Sequence, residues 1–269
     1  MGISFETPPL VELIAELRWG SPNLPQPNAP GIGITIQVSP STSQEEFFDR
    51  FADAIASHGF GRAERLVPPG FSIPFQPVYR FRKSSEKPGT TLYQVGVNVF
   101  STNVTPPYQS WDAFRPTVKT GIEVLLQTRG KEDEKTDFDG VALRYINAFE
   151  SKLTGGRSTM EFLSEVLGFR IDLPASLDRI RSPAQPVEPI LRVTFPAGSE
   201  YVMSSNLANG VVNGKPAIIM DISVSAQKPV NPERDQLLEV LDNAHDLIHD
   251  SFVEMTKQIH PLMNPRSPA

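Results

Sequence analysis

With 269 residues, 39% of them hydrophobic and 21% charged, the chain has the composition of a globular protein with a sizeable core and not that of a disordered one. A formal charge of -6 works against general affinity for phosphate backbones and anionic lipid, so neither nucleic acid nor a membrane is an expected partner. The absence of cysteine excludes disulfides, thiolate metal sites and cysteine nucleophiles, and with no signal-like leader and no apolar run of membrane-spanning length the chain reads as cytoplasmic.

The first predicted strand, 10 to 19, alternates Leu13, Ala15, Leu17 and Trp19 with Glu12, Ile14, Glu16 and Arg18, the pattern of a half-buried strand with one polar face. A Pro/Gly/Asn-rich loop and a short apolar run, Ile34 to Val38, follow. Ser43 can cap a helix in which Phe47, Phe48, Phe51, Ala54 and Ile55 recur at helical spacing, and Gly59 ends it. Strands are expected at 77 to 83 and, after the turn Lys87-Pro-Gly89, at 91 to 102. A helix from Gln109 or Ser110 carries Trp111, Phe114, Val118, Ile122 and Leu125, and its Pro116 is tolerable only near the first turn.

The run from Arg129 to Asp137 reads as a solvated charged linker. Beyond it the order begins again, with a strand (138 to 150), a helix (159 to 167), a Pro-punctuated loop (170 to 189), strands near 189 to 196, 200 to 206 and 216 to 227, and a final helix (232 to 259). A hairpin is signalled by Asn209-Gly210 and Asn213-Gly214. Leu17-Arg18-Trp19 aligns with Leu143-Arg144-Tyr145, and the spacing supports the match: Arg18 to Trp111 and Arg144 to Leu237 both span 93 residues (111 − 18; 237 − 144). The prediction is an α+β fold of duplicated β-α-β-β-(β)-α halves, residues 1–130 and 138–260 joined by the linker 131–137. The halves would share one continuous antiparallel sheet with long helices on one face.

Phe5-Glu-Thr-Pro-Pro-Leu-Val-Glu12, Gln94-Val-Gly-Val-Asn-Val-Phe100 followed by Ser110-Trp111, Leu143-Arg-Tyr-Ile-Asn147 and Ala244-His245…Phe252 resemble the motifs of an uncharacterised, sporadically distributed prokaryotic protein family. The resemblance covers nearly the whole length. It implies no activity, and the family's patchy distribution implies defence-associated or toxin–antitoxin-like genes more than core metabolism.

Strand parity places Arg18, Arg80, Arg82, Asn98, Arg144 and Arg192 on the sheet face opposite the helices, with Glu12, Glu16 and Asp221. Guanidinium groups on a rigid sheet suit bidentate recognition of carboxylate or phosphate, which makes these residues the binding candidates. The alternative is a polar face turned to water, its charges paired across strands. Tyr145 and Asn147 share the inner face of Leu143 and Phe149, and with Trp111 and His245 they read as a structural motif, a core hydrogen-bond network. His245 and His249 stand i, i+4 on the last helix, a spacing that can bind zinc, but a third ligand would have to come from elsewhere.

No catalytic, metal or cofactor signature is complete: Gly31-Ile-Gly33 lacks the rest of a dinucleotide fingerprint, and no Gly-x-Ser-x-Gly occurs. The sequence therefore predicts a non-enzymatic binding protein, without cofactor or metal, that recognises a protein partner. Two alternatives stand beside it, a small anionic ligand or nucleotide on the open sheet face and a metal-dependent enzyme using His245 and His249. A homodimer through the sheet edge or the last helix is a further expectation.

Overall fold

In the computed structural model, which describes residues 3–20, 41–84, 90–131, 133–182 and 186–266, alternation in the sequence becomes a nine-stranded antiparallel sheet. After a two-residue strand β1 (Ser4–Phe5), the alternating segment forms β2 (Leu10–Trp19). Helix α1 (Thr42–Ser57) follows, capped by Ser41 and not by Ser43: the Ser41 Oγ accepts from the Gln44 N–H at 3.3 Å while the Gln44 side chain returns to the Ser41 N–H at 2.9 Å. This capping box satisfies two of the helix's free donors. Strands β3 (Arg62–Arg65) and β4 (Pro77–Arg82) come next.

The segment expected as one strand from 91 to 102 is two, β5 (Thr91–Gly96) and β6 (Val99–Val104). The chain reverses at Val97-Asn98, where Asn98 takes the left-handed conformation (φ 61°) that Asn accepts more readily than most residues. The unbroken apolar run hid this turn. Helix α2 (Trp111–Thr128) begins at Ser110, whose Oγ accepts from the Ala113 N–H at 3.2 Å; Pro116 lies beyond its first turn.

The second half contains β7 (Phe138–Glu150), α3 (Ser151–Thr154), α4 (Thr159–Glu161) running into one π-helical turn over Phe162–Val166, and α5 (Ala175–Ile180). The last of these is an exposed helix inside the expected loop. Strand β8 (Leu191–Ala197) is followed by the long hairpin of β9 (Tyr201–Val212) and β10 (Lys215–Ala226). Its turn is Asn213-Gly214, with φ of 51° and 77° at the two residues, whereas Asn209-Gly210 lies within β9. Helix α6 (Arg234–Met255), a 3₁₀ segment (Lys257–Met263) and β11 (Pro265–Arg266) complete the chain; β11 pairs with β1. The loop over 20–33, the run Ile34–Val38 and the turn Lys87–Gly89 lie largely or wholly outside the described residues.

The strand order β3-β4-β5-β6-β2-β7-β10-β9-β8 places β2 and β7 side by side at the centre. From that seam outward the connectivity of the two halves is alike, each first strand lying beside the last strand of its own half, although β3 has no counterpart in the second half. The register is symmetric as well. Ile14 faces Arg144 and Arg18 faces Gly140, and both Arg18/Arg144 and Ile14/Gly140 differ by the same 126 positions (144 − 18; 140 − 14). A two-fold axis between the strands would give this exchange.

All three long helices pack on one face. α1 buries Phe47, Phe48, Phe51 and Ile55, α2 the predicted stripe from Trp111 to Leu125, and α6 Leu237, Leu238, Leu241, Ala244 and Ile248. Close approach of α2 requires Gly121, where a Cβ would stand 2.5 Å from the Tyr93 ring and 2.7 Å from the Phe100 ring. The expected linker is not wholly solvated. Arg129 is 7% exposed and lies over the Phe138 and Trp19 rings, while Asp133 accepts from the Trp19 indole N–H at 3.2 Å. Burial lowers the guanidinium pKa there, and the two rings stand in for the lost hydration.

Candidate functional site

The open sheet face carries the arginines as parity predicts, but most are engaged within the protein. Arg144 grips Asp221 with two parallel bonds at 2.7 and 2.5 Å, Arg18 pairs with Glu16 at 2.8 Å, and Arg80 reaches Glu64 at 3.5 Å. With its amide oxygen turned toward Arg80, Gln94 also accepts from that guanidinium at 3.2 Å. Arg82 and Arg192 have no such partner among the described residues, yet they belong to β4 and β8, which lie seven strand spacings apart, roughly 34 Å at about 4.8 Å per spacing. No single small anion can bridge them. Asn98 is not on this face; it sits in the β5–β6 turn, its Nδ2 donating to the Gly20 carbonyl at 3.1 Å.

On the helix side, where β7 passes beneath the start of α2 and the middle of α6, the core is interrupted by a cavity of about 740 Å³. Its floor is Tyr145 and Asn147 of β7 with Leu10 of β2. Its walls are Tyr108, Trp111, Asp112 and Arg115 on one side and Asp242, His245, Asp246, His249 and Phe252 on the other, with Phe5 and Arg266 over the top. Tyr145, Asn147, Trp111 and His245, expected as a structural motif, are thus brought together as the wall of one cavity. Tyr108, Arg115 and Asp242 join them without any sequence signal that sets them apart from other surface residues.

The imidazole of His245 is fixed from two sides. Its ring stacks on Trp111, 5.4 Å between centroids and 13° from parallel, and its Nδ1 is 2.8 Å from the Tyr145 hydroxyl. The His249 ring stands 5.6 Å beyond. Burial first, and the neighbouring His249 second, hold His245 below the ordinary imidazole pKa, so at neutral pH it is an uncharged ring. Burial pushes the Tyr108 hydroxyl up to about 12 and holds the hydrogen-bonded Tyr145 hydroxyl well above its ordinary value, so both keep their protons at neutral pH.

Asp242 ties the two helices together. Its carboxylate accepts from the Trp111 indole N–H at 2.8 Å and from the Arg115 Nε and Nη2 at 2.7 Å each. Burial alone would raise its pKa, but these donors outweigh it and hold the carboxyl below the usual range. Asn147 differs from its neighbours: it is 3% exposed, borders the cavity, and its side chain has no hydrogen-bond partner among the described residues. The amide is open to the cavity itself.

No family model matches the chain, and no curated protein matches it either. Among the described residues no group of three or more His, Asp or Glu is arranged to hold a metal ion, and no helix is long and apolar enough to cross a membrane.

Proposed function

We propose that this is a binding protein whose ligand is a small organic molecule seated in the cavity between α2, α6 and β7. The observation that carries this reading is Asn147, a buried amide without a partner that opens onto a cavity of ligand size, where apolar walls surround a few convergent polar groups. The engaged and widely separated arginines of the open face favour this cavity over an anion site there. Kinship with the sporadically distributed prokaryotic family, and a place in defence or toxin–antitoxin-like systems, rest on the motifs alone.

Thermal denaturation in the presence of a small-molecule panel tests the proposal. A ligand at 100 times its dissociation constant stabilises by about 2.7 kcal/mol. That shift is expected to disappear in Asn147→Leu and to persist in Arg192→Gln on the opposite face. No stabilising compound, or equal shifts in both variants, would overturn it.

A protein partner, the first expectation from the sequence, is favoured by one observation, the exposed apolar residues Ile190 (88%), Val211 (70%) and Phe195 (45%) near the outer edge of the sheet. Binding of a purified partner that survives Phe195→Glu would remove that support.

A further inference from the structure

We infer that the cavity takes an organic cation, an amine, guanidine or quaternary ammonium carried on an apolar body. The inference rests on the cavity being the ligand site and adds the charge of the ligand. Five carboxylate and guanidinium side chains border the cavity: Asp112, Arg115, Asp242, Asp246 and Arg266. Arg115 is paired with Asp242 through its Nε/Nη2 edge, and Arg266 lies 3.7 Å from Glu6. Asp112, in the first turn of α2, and Asp246, in the middle of α6, are exposed at the rim and have neither a hydrogen bond nor an ion pair among the described residues. Both act electrostatically on His245, Asp112 from the opposite wall and Asp246 from the adjacent position on α6. Among the described lining residues three carboxylates stand against two guanidinium groups, so the excess charge at the site is negative.

The rest of the lining suits the same ligand. The aromatic rings of Trp111, Tyr108, Tyr145 and Phe5 border the space, and such rings attract cations through their π faces. The unpartnered amide of Asn147 supplies a neutral carbonyl acceptor at the floor for a ligand N–H. An anionic ligand would meet two unneutralised carboxylates, and a purely apolar one would leave Asn147 unpaired. Asp112 alone would be explained by the helix dipole, which favours an acid in the first turn. Asp246, at mid-helix, has no such explanation.

The test compares phenethylamine and benzyltrimethylammonium with the anion 3-phenylpropanoate and the neutral 3-phenylpropanol, by calorimetric titration of the full chain. The cations are expected to bind at least about tenfold more tightly than the anion, with affinity falling as salt rises. Asp246→Asn, an exposed mid-helix change that leaves the fold intact, should reduce that preference severalfold, and Asp112→Asn with Asp246→Asn should abolish it. If the anion or the alcohol binds as tightly as the cations and Asn147→Leu removes that binding, the cavity stands as a ligand site and the cationic class is overturned. If no probe binds, or Asn147→Leu leaves every affinity unchanged, both the class and the site fall.

Discussion

Asn147 shows how a residue can have its side chain placed correctly by sequence and its surroundings missed. Alternation puts it on the inner face with Leu143 and Phe149, where the structure has it, but the sequence reading places its amide in a core hydrogen-bond network. With no partner to strand, Asn147→Ala is expected to cost about 1 kcal/mol or less, instead of the 1–3 kcal/mol that a broken buried bond implies. Urea denaturation measures it, and a larger loss would show that the amide holds the fold. His245 gives a pH prediction. Its folded-state pKa lies below the ordinary value of about 6.5, so on acidification the unfolded chain takes up the proton first. Its contribution to stability is complete above about pH 6.5 and is lost progressively below it. The drop in melting temperature between about pH 7.5 and about pH 5.5 should accordingly be smaller in His245→Gln than in the wild type; an equal drop would place the titration elsewhere.

At the level of elements, periodicity located β2, α1, α2, β7, β10 and α6 because each buries one continuous face, which writes itself into the sequence as a stripe. What escaped has a physical reason in each case. The turn at Val97-Asn98 lies between strands so apolar that no polar interruption marks it. Helix α5 buries nothing and so has no stripe, and Arg129 looks solvated because two rings and the Thr136 carbonyl hold it where a carboxylate would be looked for. The cavity escaped for another reason: its walls come from β7, α2 and α6, far apart in sequence, and only their packing makes a void. The junction of the two helices at that void hangs on Asp242. Asp242→Ala removes the acceptor of both the Trp111 indole and the Arg115 fork. A loss of about 1–3 kcal/mol is expected in chemical denaturation, together with weaker ligand binding as Trp111 and His245 lose their alignment. Unchanged stability would mean that solvent replaces the carboxylate without cost.

Across the whole molecule the two halves share connectivity and a symmetric central register, yet they treat equivalent positions differently. Trp19, at the position matching Tyr145, is 2% exposed, packs against Phe47 and Phe138, and has its indole bound by Asp133. Tyr145 instead floors the cavity. A larger ring together with α1 fills one half; a smaller ring leaves space in the other. The same architecture thus opens a cavity in one half at a position that the other half fills. The seam that joins the halves also governs how the protein is made. Leu13 faces Tyr145, 132 positions later in the chain (145 − 13), and at about 5–20 residues per second a ribosome needs on the order of ten seconds to bridge that gap. Throughout that interval strand β2, apolar on one face, presents an open edge in the emerging chain, an invitation to pair with a neighbouring copy. Production of this protein should therefore depend more on chaperone supply and translation speed than on the stability of the finished fold.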